Sequence, residues 1–239
     1  MRFQRVLSTL INPRVNPDFS LFPDFFSIQE QRVLLQAALQ RLDSTGSRRA
    51  QRKRKQYAHS LDVSDRSSLP LQEIFLPEEF YEFEEGHFDG VIHNYREMHL
   101  MSWPTSEFSG LSPILHRLHL LLPSQDTQTH LLHLASNGEI LPHVDNVEAS
   151  GSWILGVSLG GDRVLRMQHY SDPERMFEVL LRSGSVYIRK DTVRFQYKHS
   201  ILKHRSTSGA VVGDGQRLSI MIRDRLSHNS ENKLPAPVI

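Results

Sequence analysis

A mainly β fold with flanking helices is what this sequence predicts, and three observations predict it. Beyond residue 129 the chain breaks into short runs rich in Val, Ile, Leu and aromatic residues: HLLHLAS, SWILGVSLG, RVLRMQHY, MFEVLLRSG, GSVYIRK and RLSIMIRDR. Gly, Asp, Asn and Ser separate them, which is the pattern of an antiparallel barrel or sandwich. Helical periodicity is found only before that point, so the helices flank the strands rather than alternate with them. No internal repeat is evident.

Taken in order, the chain opens with MRFQRVLSTLINPRV, which carries Arg2, Arg5 and Arg14 and no acid before Asp18. Such a segment fits a mitochondrial presequence over residues 1–20, and equally an ordinary flexible terminus. SIQEQRVLLQAALQRL (Ser27 to Leu42) reads as a helix. Ser27 and Glu30 form a capping box, and Val33, Leu34, Leu35, Ala38, Leu39 and Leu42 share an apolar face with Ile28. STGSRRAQRKRKQ follows and packs Arg48, Arg49, Arg52, Lys53, Arg54 and Lys55 into eight residues. It could grip phosphates, but it has no interleaved aromatics for stacking bases, and a solvated flexible loop is expected. The domain proper is expected over 69–225, with a further helix between Ser106 and Leu122 interrupted at Pro113 and a disordered tail from 226 to 239.

Composition narrows the chemistry. The 239 residues are 38% hydrophobic with a formal net charge of +1, and mean hydropathy is −0.40. No global charge points to nucleic acid or membranes, and no apolar run reaches the length of a membrane span. Cysteine is absent, which excludes disulfides, thiolate metal sites and Cys nucleophiles together. Any metal must be held by His, Asp and Glu. A monomer is expected.

The stretch LPHVDN places His143 and Asp145 two residues apart. On a strand they would point to one side, which suits a metal, a proton relay, or no function. With thirteen histidines, about one His-x-Asp pair is expected by chance. His87 and Asp89 in GHFDG form a second, and His116 with His119 and His130 with His133 are further metal-like spacings. Context favours the first pair, because His199 in YKHSI lies on a later strand that can return to the same barrel mouth. Two histidines and one carboxylate on one face of a metal leave the opposite positions open. That arrangement suits Fe(II) with oxygen and a chelating co-substrate, whereas a structural zinc would need a fourth protein ligand.

A keto-diacid such as 2-oxoglutarate would also need a cation for its far carboxylate. RLSIMIR follows His199 by eighteen residues. Alternation puts Arg217, Ser219, Met221 and Arg223 on one face, with Leu218, Ile220 and Ile222 on the other. Arg217 can clamp a carboxylate bidentately, Ser219 can donate a hydroxyl, and Arg223 can hold Asp145 or the co-substrate's other carboxylate. Tyr187, twelve residues before His199, could add a phenolic hydrogen bond.

In these residues, and in HFDGVIHNYRE, LHLASNGEILPHVDN and SWILGVSLGGDRVLRM, the chain resembles the AlkB-type 2-oxoglutarate and Fe(II)-dependent dioxygenases. The resemblance runs from about Phe80 to Arg223 and is closest to the mitochondrial branch, the seventh AlkB homologue. It implies a double-stranded β-helix (jelly roll) with helices on one side. His143, Asp145 and His199 fall on the family's iron ligands, and Tyr187, Arg217, Ser219 and Arg223 on its 2-oxoglutarate contacts. The implied cofactors are Fe(II), 2-oxoglutarate and O2. One departure bears on substrate: Leu132 and Leu134 stand where nucleic-acid-repairing members have Asn-x-Tyr, and no aromatic-rich lid for a flipped base precedes the HxD. The expected function is therefore oxidation of a protein or metabolite in the mitochondrial matrix, with a link to lipid metabolism or regulated cell death. The alternatives are an RNA or DNA demethylase, with the basic run as phosphate grip, and a regulatory protein that keeps the iron site without turnover.

Overall fold

Ser27 starts the first helix as the sequence predicts: its hydroxyl accepts the Glu30 N–H while the Glu30 carboxylate accepts the Ser27 N–H at 2.8 Å. In this computed structural model, residues 16–60, 70–202, 205–207, 210–212 and 215–226 are described. Most of the expected presequence and nearly all of the expected tail lie outside them. In chain order the elements are β1 (Phe19–Phe22), α1 (Ile28–Thr45), α2 (Arg48–Ser60), two 3-10 turns (Leu71–Ile74 and Glu78–Phe80), β2 (Glu84–Gly86), β3 (Ile92–Leu100) and α3 (Leu111–His119). Then come β4 (Thr127–His143), β5 (Trp153–Gly160), β6 (Arg163–His169), β7 (Met176–Leu181), β8 (Val186–Lys190), α4 (Asp191–Gln196), β9 (Tyr197–Leu202), β10 (Arg205–Thr207), β11 (Ala210–Val212) and β12 (Arg217–Asp224).

Ten strands form one sheet in the order β1-β8-β5-β12-β4-β9-β6-β7, with β3 joining β4 and β2 joining β3. The registered pairs within it are antiparallel. The sheet curls until the two ends of this path meet: the Phe19 ring of β1 lies 5.2 Å from that of Phe177 in β7, edge to face. Alternation then sorts the side chains into two cores. On the outer face Leu155, Val157, Leu159, Leu218, Ile220 and Ile222 pack with Leu34 and Leu35 of α1 and Leu118 of α3. Inside the curl, Leu132, Leu134, Leu165, Met167, Tyr187 and Ile201 form the second core.

Three differences from the sequence reading have physical causes. The basic run is helix rather than flexible loop. Ser47 caps it through the Ala50 N–H, and Arg54 turns inward to donate to the carbonyls of Asp43 (2.9 Å) and Phe80 (3.1 Å). Arg48, Arg49, Arg52 and Lys55 remain solvated. The expected break at Pro113 is absent, because Pro113 sits in the first turn of α3, where no intrahelical N–H partner is required. Finally, β1 (Phe19–Phe22) spans the expected boundary at residue 20 and pairs with β8, and α1 buries its apolar face in the same core as the strands.

Leu118 is wholly buried while Leu120 is 71% exposed. Leu118→Ala should cost about 2–5 kcal/mol and lower the urea midpoint accordingly. Leu120→Ala should stay within about 0.5 kcal/mol of the parent in the same titration.

Candidate metal centre

The site begins with a strand that changes partners. Up to Leu134, β4 pairs with Tyr95 of β3 and Arg217 of β12. Then the ladder slips: Asn94 takes a left-handed φ of 50°, and pairing resumes at His93 with Glu139. At Gly138 a Cβ would lie 2.7 Å from the Asn94 carbonyl oxygen, so the close approach needs glycine. Past the bulge β4 crosses to β9, where His143 lies opposite His199. The two imidazole centroids are 4.2 Å apart.

Asp145 lies beyond the end of β4, so strand alternation alone does not aim it. Arg194 of α4 holds the backbone of the loop that carries it. Its guanidinium donates to the Asp145 carbonyl (3.1 Å), the Asn146 carbonyl (3.1 Å) and Ser150 Oγ (2.9 Å). The Asp145 carboxylate then reaches within 3.6 Å of His143 Nε2. One ligand atom each from His143, Asp145 and His199 falls within 4.8 Å of the other two, and among the described residues this is the only such group of three. His143 Nδ1 lies 2.9 Å from the Leu141 carbonyl and His199 Nδ1 lies 3.1 Å from the His143 carbonyl. Nδ1–H donation to a carbonyl leaves Nε2 with its lone pair. Burial lowers the pKa of both imidazoles, that of His199 far below the usual histidine value, with the Arg189 charge as the next cause there. Both are neutral at pH 7.

Behind the triad, β12, β5 and β8 present their inner faces. Arg217 is 1% exposed. Its Nε donates to Ser158 Oγ at 3.0 Å, while its Nη1 has no hydrogen-bond partner among the described residues. Burial pushes its pKa down to about 10, which still leaves it charged at neutral pH. Ser219 sits opposite Ser158 and Leu132. Arg223 approaches Asp145 Oδ1 at 3.9 Å. Tyr187 is buried, which raises the pKa of its phenol, and its ring lies over Gly156, whose register partner it is. Arg217, Ser219 and Arg223 share with Met221 the face of β12 opposite Leu218, Ile220 and Ile222, and among the described residues Arg223 is the one of the three that contacts the triad.

Two arginines at the site were not singled out. Arg189 is 1% exposed and follows Tyr187 by two residues on β8, so the same alternation gives both one face. Its guanidinium contacts Asp145 Oδ2 and lies 2.8 Å from His199 Nδ1. Arg194 had no comparable signal, because its acceptors are backbone carbonyls of a distant loop. The other histidine spacings dissolve. His87 hydrogen-bonds Asp89 at 2.7 Å. His130 pairs with Glu97 on the strand face opposite His133, which accepts from Arg96 Nε at 2.9 Å. His116 and His119 are exposed on α3.

The family model described as "2OG-Fe(II) oxygenase superfamily" matches residues 18–223. Two proteins named "Alpha-ketoglutarate-dependent dioxygenase alkB homolog 7, mitochondrial" are similar over 147 residues, that of Mus musculus at 35% identity and that of Bos taurus at 34%. Each alignment covers 59% of this chain and 65% of the relative, so the chain spans less than two thirds of the relatives' length. The solved structure described as "The structure of OsALKBH1" is similar over 88% of this chain and 98% of that one, with a TM-score of 0.52 and 17% identity. That is a likeness of fold.

A Cβ at position 156 would lie 2.4 Å from Tyr187 Cζ. Gly156→Ala should therefore destabilise the protein by about 1–3 kcal/mol in chemical denaturation. Combined with Tyr187→Ala, it should add less than it does alone, because the ring it strikes is gone.

Proposed function

Because the chain belongs to the 2OG-Fe(II) oxygenase superfamily, we propose that it is an Fe(II)- and 2-oxoglutarate-dependent dioxygenase that oxidises a C–H bond of a protein or small-molecule substrate in mitochondria. The observation that carries the reading is the convergence of two neutral imidazoles and one carboxylate on a single point. His143, Asp145 and His199 would hold the metal, and this donor set leaves coordination positions open, as the family's chemistry requires. Bound Fe(II), with 2-oxoglutarate and O2, supplies the oxidising chemistry: 2-oxoglutarate is converted to succinate and carbon dioxide as the substrate C–H bond is oxidised.

The chain's own residues bind and orient. Arg217 would grip the far carboxylate of 2-oxoglutarate, and its Nη1, without a partner among the described residues, supports that role, since a buried guanidinium N–H without an acceptor is unfavourable. Ser219 and Tyr187 would add hydroxyl donors. Arg223 stands where it could steady Asp145 and the co-substrate's other carboxylate together. Leu132, Leu134 and Met221 pack in the same inner core and would keep water from the reacting groups. Leu132 and Leu134 also weigh against base demethylation, whose enzymes carry Asn-x-Tyr there. The mitochondrial names of the relatives and the acid-poor, Arg-bearing N-terminus support import to the matrix.

The test is iron-dependent formation of succinate from 2-oxoglutarate by the whole chain. His143→Ala should abolish both metal binding, read by calorimetry, and succinate formation. Arg217→Ala should bind metal as the parent does, while its affinity for 2-oxoglutarate falls at least about tenfold. Equal 2-oxoglutarate affinity in parent and Arg217→Ala would remove the clamp, and no iron-dependent succinate from the parent would end the dioxygenase reading.

A further inference from the structure

The proposed ligand set leaves one group unassigned: a guanidinium buried against it. Arg189 comes from β8, at the register position opposite Ile154 of β5. It touches the acid Asp145, 44 residues earlier in the chain, through Asp145 Oδ2. The other oxygen, Oδ1, is the one that lies 3.6 Å from His143 Nε2. The two carboxylate oxygens therefore face different partners, one a cation fixed on β8 and the other the point where the imidazoles converge.

That division matters because a carboxylate with both oxygens free can bind a metal through one or both. Resting on the metal site proposed above, we propose that Arg189 is a positioning residue for that centre. By occupying Asp145 Oδ2, it presents Asp145 to a metal through Oδ1 alone and keeps open a coordination position that a two-oxygen carboxylate would take. Arginine suits the task. It is planar and permanently charged, and Arg189 is held nearly without exposure between Asp145 and His199. Arg223 does not duplicate it, because Arg223 approaches Oδ1 at 3.9 Å. Arg194 does not either, because its acceptors are the loop's carbonyls and Ser150.

The contact with His199 is compatible with this role. His199 Nδ1 lies between Arg189 Nη1 at 2.8 Å and the His143 carbonyl oxygen at 3.1 Å. An imidazole that ligates through Nε2 carries its proton on Nδ1 and donates it to the carbonyl. Only the Arg189 contact to Nδ1 is then given up. The contact to Asp145 is kept, since an acid that gives one oxygen to a metal still has the other for a guanidinium.

The test uses Co(II) as probe on the whole chain and needs no substrate. Arg189→Lys and Arg189→Met are compared with the parent, folding being checked by circular dichroism and thermal melting. Arg189→Met, if folded, should bind Co(II) about 10–100-fold more weakly, the loss typical of a partner that orients a metal ligand. Its Co(II) absorption spectrum should also change shape. With Zn(II) bound, the splitting between the antisymmetric and symmetric carboxylate stretches, followed in isotope-labelled Asp, should narrow from the one-oxygen to the two-oxygen pattern. Arg189→Lys keeps a cation in place and should recover part of the affinity. Should Arg189→Met fail to fold, weaker Co(II) binding by Arg189→Lys together with an altered spectrum supports the positioning role equally. Co(II) affinity and spectrum equal to the parent's in the folded variants overturn the positioning role and leave the metal site standing. A parent that binds no Co(II) overturns the site itself.

Discussion

One strand serving two halves of the sheet is the constraint on which this molecule depends. Along one edge β4 pairs with β3 on both sides of a bulge, while its other partner changes from β12 in the first half to β9 in the second. The bulge at Asn94 and the tight approach at Gly138 convert a long strand into a bent one. A one-residue slip on either side of that bend would turn the whole inner set outward, because side chains alternate with period two. Register here is therefore a functional quantity, and the outer-face leucines and isoleucines that enforce it act on the site from a distance.

The charge inside the curl follows from the same geometry. Arg189, Arg194, Arg217 and Arg223 are all drawn down in pKa by burial before any other cause. Leaving four guanidiniums in a poorly solvated interior is unfavourable unless acceptors surround them. The protein meets the need in different ways: carbonyls and a serine for Arg194, Ser158 for Arg217, and a carboxylate for Arg189. Each of the four still keeps one buried nitrogen without a partner among the described residues: Nε of Arg189, Arg194 and Arg223, and Nη1 of Arg217.

Much of this was legible in the sequence wherever a local rule operates. The capping box of α1 and the alternation in RLSIMIR are contained in neighbouring residues, and both appear in the structure as read. Legibility fails where the partner is remote. α2 looked like a solvated run because the acceptors of Arg54 are carbonyls at Asp43 and Phe80, before and after it in the chain. Arg189 shares its face with Tyr187 and could have been marked by parity, but nothing local says that Asp145 waits across the cavity. The bend in β4 has no apolar signature, since a bulge is set by backbone crowding and not by hydrophobic pattern.

The meeting of Phe19 with Phe177 has its own consequence. The ring contact draws the first and last strands of the path together without pairing their backbones. Loss of β1 would bare the hydrogen-bonding side of β8 that β1 now covers, on the strand bearing Tyr187 and Arg189.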